Sequence, residues 1–382
     1  MPSEIPPPIL VDSSMQLSQF LRDVENCSEI AVDTEADSFY SYREKVCLIQ
    51  VSSPAADYII DPLANVELSA LAPVLASDSI LKVFHDAEYD VQLLKSAGIS
   101  EMRRIFDTRV AVSLLGNKSP GLANVLKDRY GIQLNKSLQR SDWSQRPLSI
   151  EQLEYARHDT RYLLQLARDI KPQLKQRDIW ELFLYECERV AATPSRERNF
   201  NADECIQIKG CDRLDANQLA SLRELFIERE RLAEAADAAP FRIITNELLL
   251  VLALLSPRNA RELDQVRALP PKLKQQFGPA ALGAIARARQ NGPWIPPPRV
   301  PRPPDDELAA LDRLKKWRTI KSEKLNIDAT GILNRRTLEF LAKERPASLE
   351  LLEKAPGLNP WQFQRFGAEI IKILSESNKS WF

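Results

Sequence analysis

The hydrophobic rhythm of the chain changes once, near residue 193. Before that point helical and strand-like runs mix. Met15 to Val24 places Leu17, Phe20, Leu21 and Val24 on one helical face. Four β-rich runs follow, Glu29 to Asp33, Val46 to Ser52, Asp57 to Ile60 and Ile80 to Phe84, cut by the turn formers Ser53-Pro54 and Asp61-Pro62. From Ala87 onward the pattern is mostly helical. Ser149 and Gln152 make an S-x-x-Q capping box, which predicts a helix running through Tyr155, Asp159 and Leu163. Mixed strands followed by helices predict an α/β domain over residues 1–195.

Beyond Thr193 the strand signals vanish, and two all-helical stretches, 201–290 and 305–376, align at an offset of 89 residues. Ile243-Ile244-Thr245 matches Ile332-Leu333-Asn334, Leu252-Ala253 matches Leu341-Ala342, Pro271 matches Pro360, and Phe277-Gly278 matches Phe366-Gly367. An ordered series at one offset predicts a duplicated module. The two Phe-Gly pairs read as tight inter-helix turns with the phenylalanine in the core. Between the copies, residues 291–304 hold seven prolines in fourteen positions, the composition of an extended, semi-rigid spacer reaching about 3.1 Å per residue. A chain ended near Pro304 is therefore expected to keep its first domain intact.

Composition narrows the class. With 382 residues, 44% hydrophobic and 27% charged, the chain is globular and long enough for two or three domains. No run approaches the roughly 18 apolar residues that span a bilayer, and Met1 to Leu10 lacks a basic leader region. Five cysteines without a CxxC pair suggest neither a disulfide framework nor a zinc site. The expectation is a cytoplasmic protein without a membrane partner. The net charge of −1 hides an asymmetry: residues 1–100 carry 5 Lys/Arg against 16 Asp/Glu, whereas residues 101–382 carry 47 against 37. An acidic region attracts cations and a basic one attracts phosphates.

Candidate chemistry sits in three places. In Ala31-Val32-Asp33-Thr34-Glu35 two carboxylates two residues apart share one face of a strand, a close like-charge pair that a cation between them would relieve. Asp90 follows the strand ending Val83-Phe84, where a strand feeds a helix; Asp86 and Glu88 are its neighbours and read as helix N-terminal carboxylates facing the dipole. Tyr155 and Asp159, at i and i+4, share one helical face. Each alone is commonplace, as a solvated strand edge, a capping acid or a buried tyrosine. The two histidines, His85 and His158, fall inside these motifs and read as structural neighbours.

Together, Asp33, Glu35, Asp90, Tyr155 and Asp159 resemble, in order and context, the three motifs of the DEDD exonucleases, whose fold is ribonuclease-H-like. The tyrosine four residues before the last aspartate marks the DEDDy branch; the DEDDh branch has a histidine five before it, where this chain has Glu154. Leu48-Ile49-Gln50, Ser141-Asp142-Trp143-Ser144 and Arg146-Pro147-Leu148 are similar to the ribonuclease D family over the whole first domain. The resemblance implies two divalent ions, Mg²⁺ or Mn²⁺, with Asp33 bridging both, Glu35 and Asp159 completing the site of the ion that activates water, and Asp90 serving the second. Four carboxylates suit such a clamp on physical grounds also. Tyr155, with a reference pKa of about 10, is a poor base and is expected to aim the attacking water through one hydrogen bond.

The two helical stretches resemble the helicase-and-ribonuclease-D C-terminal (HRDC) domain. The family implies RNA as partner, above all tRNA precursors and other structured RNA with 3′ tails, and release of nucleoside 5′-monophosphates. Residues 251–304 carry 9 Lys/Arg against 2 Asp/Glu, and Arg313, Lys315, Lys316, Arg318 and Lys321 cluster at the start of the second copy, a candidate phosphate-binding face. Phe39 and Tyr40, with Tyr42 nearby, are candidates for stacking on a 3′-terminal base. Competing readings are a DNA 3′→5′ exonuclease and a non-catalytic RNA-binding protein; the complete set of five residues argues against the latter.

Overall fold

The computed structural model describes residues 6–135, 137–196, 198–298 and 301–375. Among them six strands form one mixed sheet. β1 (Ile9–Val11), β2 (Glu29–Ala36), β3 (Val46–Ser52), β4 (Asp57–Ile60), β5 (Leu81–Phe84) and β6 (Ile105–Asp107) lie in the order β1-β4-β3-β2-β5-β6. β3 and β4 pair antiparallel with Ile49 opposite Ile60, whereas β1 with β4, β2 with β5, and β5 with β6 run parallel. Every position of β3 and β4 is buried, as in strands covered on both faces. The four expected strands are all present. β1 and β6 go beyond the sequence reading because three residues are too few to show a two-residue period.

Eight helices accompany the sheet: α1 (Ser14–Glu25), α2 (Ala72–Ala76), α3 (Glu88–Ser96), α4 (Thr108–Leu114), α5 (Leu122–Tyr130), α6 (Ile150–Arg161), α7 (Leu163–Gln176) and α8 (Trp180–Ala191). α6 starts at the expected capping box. Ser149 Oγ accepts from the Gln152 N–H at 3.2 Å, and Gln152 Oε1 accepts from the Ser149 N–H at 2.9 Å.

The duplication is visible element by element. The first copy holds α9 (Ala216–Ala235), α10 (Pro240–Ile243), α11 (Asn246–Leu255), α12 (Ala260–Asp264) and α13 (Pro271–Asn291). The second holds α14 (Asp305–Leu325), α15 (Ala329–Ile332), α16 (Arg335–Glu344), α17 (Leu349–Glu353) and α18 (Pro360–Ser375), each starting 89 residues after its counterpart. Both ten-residue helices end on a left-handed residue, Ser256 at φ 46° and Arg345 at φ 44°. The expected α/β sheet with flanking helices, followed by two all-α bundles, is thus what the chain forms.

The Phe-Gly pairs correct the sequence reading. They lie inside α13 and α18, with Phe277 and Phe366 buried in the core. Gly278 is there because a Cβ would stand 2.6 Å from a Leu263 methyl of α12. The glycine lets a long helix approach a short one closely instead of turning the chain.

The chain separates into two compact units, and the second helical copy belongs to the first of them: 1–35, 46–196 and 302–382 form one, 36–45 and 197–301 the other. Within the first, Leu114, Leu182 and Phe183 share one continuous core with Leu314, Trp361 and Phe366. Trp361 donates from Nε1 to the Asp178 carbonyl at 3.0 Å, and Arg177 donates to the carbonyls of Leu115 (2.9 Å), Leu325 (2.5 Å) and Asn326 (2.9 Å). At Gly116, φ +84°, a side chain would collide with Asn326. In the second unit Trp294, at the start of the proline segment, donates its backbone N–H to the Ala216 carbonyl at 3.0 Å, and its ring lies under the Arg223 guanidinium. Arg299 and Val300 of that segment lie outside the described residues.

The second copy therefore shares the core of the sheet domain, and a chain ended near Pro304 is expected to lose that support. Removing residues 305–382 strips the apolar partners from Leu114, Leu182 and Phe183. The truncated chain should melt well below the full chain or fail to stay in solution. Trp361→Ala in the full chain should cost about 3–5 kcal/mol, the usual range for a buried tryptophan. Equal melting temperatures for full and truncated chains would contradict this.

Candidate active site

The acidic cluster forms where β2, α3 and α6 meet. Alternation along β2 turns Asp33 and Glu35 to one side, and the i, i+4 spacing on α6 presents Tyr155 and Asp159 together. One carboxylate oxygen from each of Asp33, Glu35 and Asp159 lies within 4.8 Å of the others. Asp90, buried in the first turn of α3, adjoins them; its Oδ1 accepts a short hydrogen bond from Thr34 Oγ1, and its charge opposes that of Asp33. Asp86 and Glu88 stay on the surface, Asp86 with Arg109 and Glu88 with Arg189.

Burial and mutual repulsion dominate the electrostatics. Burial first, then Asp33, Asp159 and Asp90, push the Glu35 carboxyl up to about 10. Burial and Asp90 push Asp159 up to about 7. Burial and then Asp159 raise Asp33, and burial and then Asp33 raise Asp90. The Tyr155 hydroxyl is raised by burial and by Asp159, Glu35 and Asp33, so it keeps its proton at neutral pH. An all-oxygen donor set whose members repel one another fits a hard divalent cation such as Mg²⁺ or Mn²⁺.

The scaffold aims these groups through residues that the sequence reading passed over. Asp107, at the end of β6, accepts from the backbone N–H groups of Asp86 (3.1 Å), Ala87 (2.8 Å), Arg109 (2.8 Å) and Val110 (3.2 Å). One carboxylate thus caps α4 and also holds the turn that launches α3, where Asp86 takes φ 74°. His85 joins the same support: its Nδ1 meets Thr108 Oγ1 at 2.8 Å, and burial pushes the ring down to about 4, so it stays neutral. On the other flank Trp143, fully buried, packs on the Tyr155 ring with centroids 5.8 Å apart. Arg146 locks that segment by a two-pronged pair with Asp61 (2.6 and 2.7 Å) and by donation to the Trp143 and Cys47 carbonyls. Thr34 and Asp107 had no motif to mark them; only the contact with Asp90 and the four backbone bonds reveal them.

The remaining candidates separate. Arg313 donates to the Ile373 carbonyl, Arg318 to the Leu333 carbonyl and Lys321 to Glu369, all inside the second bundle, while Lys315 and Lys316 face solvent. Phe39 and Tyr40 belong to the second unit. Tyr40 lies under the Arg242 guanidinium at 4.0 Å, Phe39 is 48% exposed, and Tyr42 is buried, donating to Glu230 at 2.8 Å under Arg198.

This arrangement defines a class: a 3′→5′ exonuclease domain with four converging acids. Residues 8–175 match the 3′-5′ exonuclease family model, and residues 218–285 and 307–374 each match the HRDC domain. A ribonuclease D of Sphingobium indicum is 29% identical over 372 residues, covering 96% of this chain and 94% of that one. The catalytic core of RRP6 from Trypanosoma brucei superposes with a TM-score of 0.70 at 27% identity over 76% of this chain and 82% of its own. Escherichia coli RNase D shares the fold, with a TM-score of 0.69 at 24% identity over 96% of this chain and 98% of its own. The chain is thus similar over nearly its whole length to proteins named ribonuclease D, and these matches support a 3′→5′ exoribonuclease.

The raised carboxyls set a pH dependence. A carboxyl whose folded pKa lies above its unfolded one binds more protons when folded, so its contribution falls as pH rises through that interval. Metal-free protein should therefore lose stability from about pH 4 upward as Asp159 and Glu35 are forced to ionise. Asp33→Asn should raise the metal-free melting temperature at neutral pH, by roughly 2–4 °C per kcal/mol of repulsion relieved, and flatten its fall with pH. Mg²⁺ should stabilise the wild type more than the variant. A variant that melts below the wild type without metal would refute the repulsion argument.

Proposed function

We propose that the protein hydrolyses RNA one nucleotide at a time from the 3′ end by a two-metal-ion mechanism, with tRNA precursors and other structured RNAs carrying 3′ tails as substrates. The observation that carries the reading is the convergence of Asp33, Glu35 and Asp159, with Asp90 and Tyr155 beside them, inside an exonuclease-family domain. Support for RNA comes from the relatives named ribonuclease D, and for a structured substrate from the Escherichia coli enzyme, described as involved in structured RNA processing.

Asp33, Glu35, Asp90 and Asp159 would hold the ions, Asp33 in the bridging position. The chemistry such ions would supply is a lowered pKa for the attacking water and an offset to charge on the attacking and leaving oxygens. Tyr155, kept protonated by the acids around it, offers one fixed hydroxyl to orient that water. Trp143 behind the ring prevents it from swinging away. Attack on the last phosphodiester forms the new P–O bond as the P–O3′ bond breaks. A nucleoside 5′-monophosphate leaves, and the shortened strand takes a proton on its new 3′-hydroxyl. Lys315 and Lys316, with the basic residues of 251–304, supply phosphate attraction independent of sequence.

Labelled RNA and DNA, each with Mg²⁺, Mn²⁺ or EDTA, test this directly. Stepwise 3′ shortening of RNA with metal and none with EDTA is expected, and DNA degraded in preference to RNA would overturn the substrate assignment. Asp33→Asn should abolish turnover, and a tenth of wild-type activity remaining would sink the bridging role. Tyr155→Phe keeps the ring against Trp143 and should lose about 10²-fold in kcat, the cost of a misaimed nucleophile, with KM little changed.

A further inference from the structure

A cavity of about 350 Å³ opens beside the acidic cluster, between one face of α6 and the residues Gln133, Leu134, Asn135 and Leu138. Tyr155 and Asp159 form one end of it, and Glu151, Glu154 and His158 continue along the same helical face. Its volume is at the small end of the roughly 300–1,000 Å³ that holds organic ligands. The described lining residues include three carboxylates and no lysine or arginine, which disfavours a phosphate. Leu134, Leu138 and Ile150, the last 77% exposed, offer apolar wall to an uncharged group.

His158 is held there in one orientation. Its Nδ1 lies 2.5 Å from the Glu154 carbonyl oxygen, and its ring stacks on Tyr162 at 26° with centroids 6.1 Å apart. A carbonyl only accepts, so Nδ1 carries the hydrogen, and in the tautomer with its single hydrogen there Nε2 is an acceptor. No described residue donates to it. The donor every ribonucleotide offers whatever its base is the ribose 2′-hydroxyl, which deoxyribonucleotides lack.

We propose that this cleft seats the uncharged nucleoside part of the nucleotide adjoining the scissile phosphate, and that His158 Nε2 accepts a hydrogen bond from its 2′-hydroxyl. His158 is then a specificity-determining residue that favours RNA over DNA. The assignment rests on the exonuclease reading above and extends it. Glu154 has a double part: its carbonyl orients His158, while its carboxylate pairs with Arg157.

The test uses the full chain and three short single-stranded oligonucleotides: all-ribose, or with one 2′-deoxy substitution at the last or the next-to-last position. Removal of the terminal nucleotide is timed in single turnovers with Mg²⁺. For the wild type, one of the two substitutions should slow cleavage about tenfold, the scale of one hydrogen bond. His158→Phe, which keeps a ring on Tyr162, should lose about tenfold on the all-ribose strand and match the wild type on the sensitive deoxy strand, which also reports that it is folded. Undiminished discrimination by the variant would overturn the proposal. So would a wild type indifferent to both substitutions, a result that needs no variant at all. Failure of the wild type to shorten any strand would instead remove the exonuclease reading on which the proposal stands.

Discussion

Four carboxyl groups share one half-enclosed site, and the rest of the catalytic unit is arranged around the cost of keeping them there. Burial raises each acid, and each raises its neighbours, so that Glu35 is displaced to about 10 and Asp159 to about 7. Like charges at this spacing separate unless something prevents it. The preventing structure is backbone. Asp33 and Glu35 are fixed by β2, whose neighbours in the sheet are β3 and β5, and Asp159 is carried on a helix with a complete capping box. Repulsion is thereby retained in the site instead of being released by movement.

That requirement explains where the polar interior lies. Asp107 spends its carboxylate on four backbone N–H groups, so the turn before α3 cannot shift and Asp90 cannot retreat. Thr34 restrains Asp90 from the strand side. At the far end of α6, Ser52 meets Thr160 at 2.8 Å and Asp57 at 2.7 Å, and Asp57 also pairs with Arg161, tying the helix to the β3–β4 hairpin. Buried polar groups of this kind fix geometry once each is satisfied. Each acid-bearing element is thus pinned beside the acid it carries.

The sequence displayed the clustered acids more clearly than their supports, for a physical reason. A carboxylate pair at i, i+2 or a tyrosine and aspartate at i, i+4 is a local pattern, and the strands and the capped α6 that carry them are long enough to show their periods. Asp107 sits in a three-residue strand, and its partners include Asp86 and Ala87, about twenty residues away, so no local period could reveal it. The Phe-Gly pairs misled because glycine signals a turn by composition, while its use at Gly278 is close helix contact with Leu263. The proline segment is a related case. It announces a break in the chain, but Trp361 and Phe366 beyond it complete a core begun by Phe106 and Phe183.

The repeat offers an internal comparison that accounts for the different fates of its copies. At 89 residues' separation, Trp361 and Arg365, which bind the Asp178 corner, correspond to Lys272 and Gln276, and Trp317 of the second core corresponds to Glu228, which pairs with Arg231 and Arg287. Gly331, which leaves room for Leu114, corresponds to Arg242, which donates to the Phe39 carbonyl and covers Tyr40. The same short helix, α10 or α15, therefore serves as the attachment corner in both copies. With glycine there, the bundle closes against apolar side chains and merges its core with the sheet domain. With arginine there, it grips the polar segment that follows β2 through Arg242, Arg198–Glu230–Tyr42 and Lys45–Asp237. One fold thus yields an apolar attachment and a charged one through substitutions at matching positions.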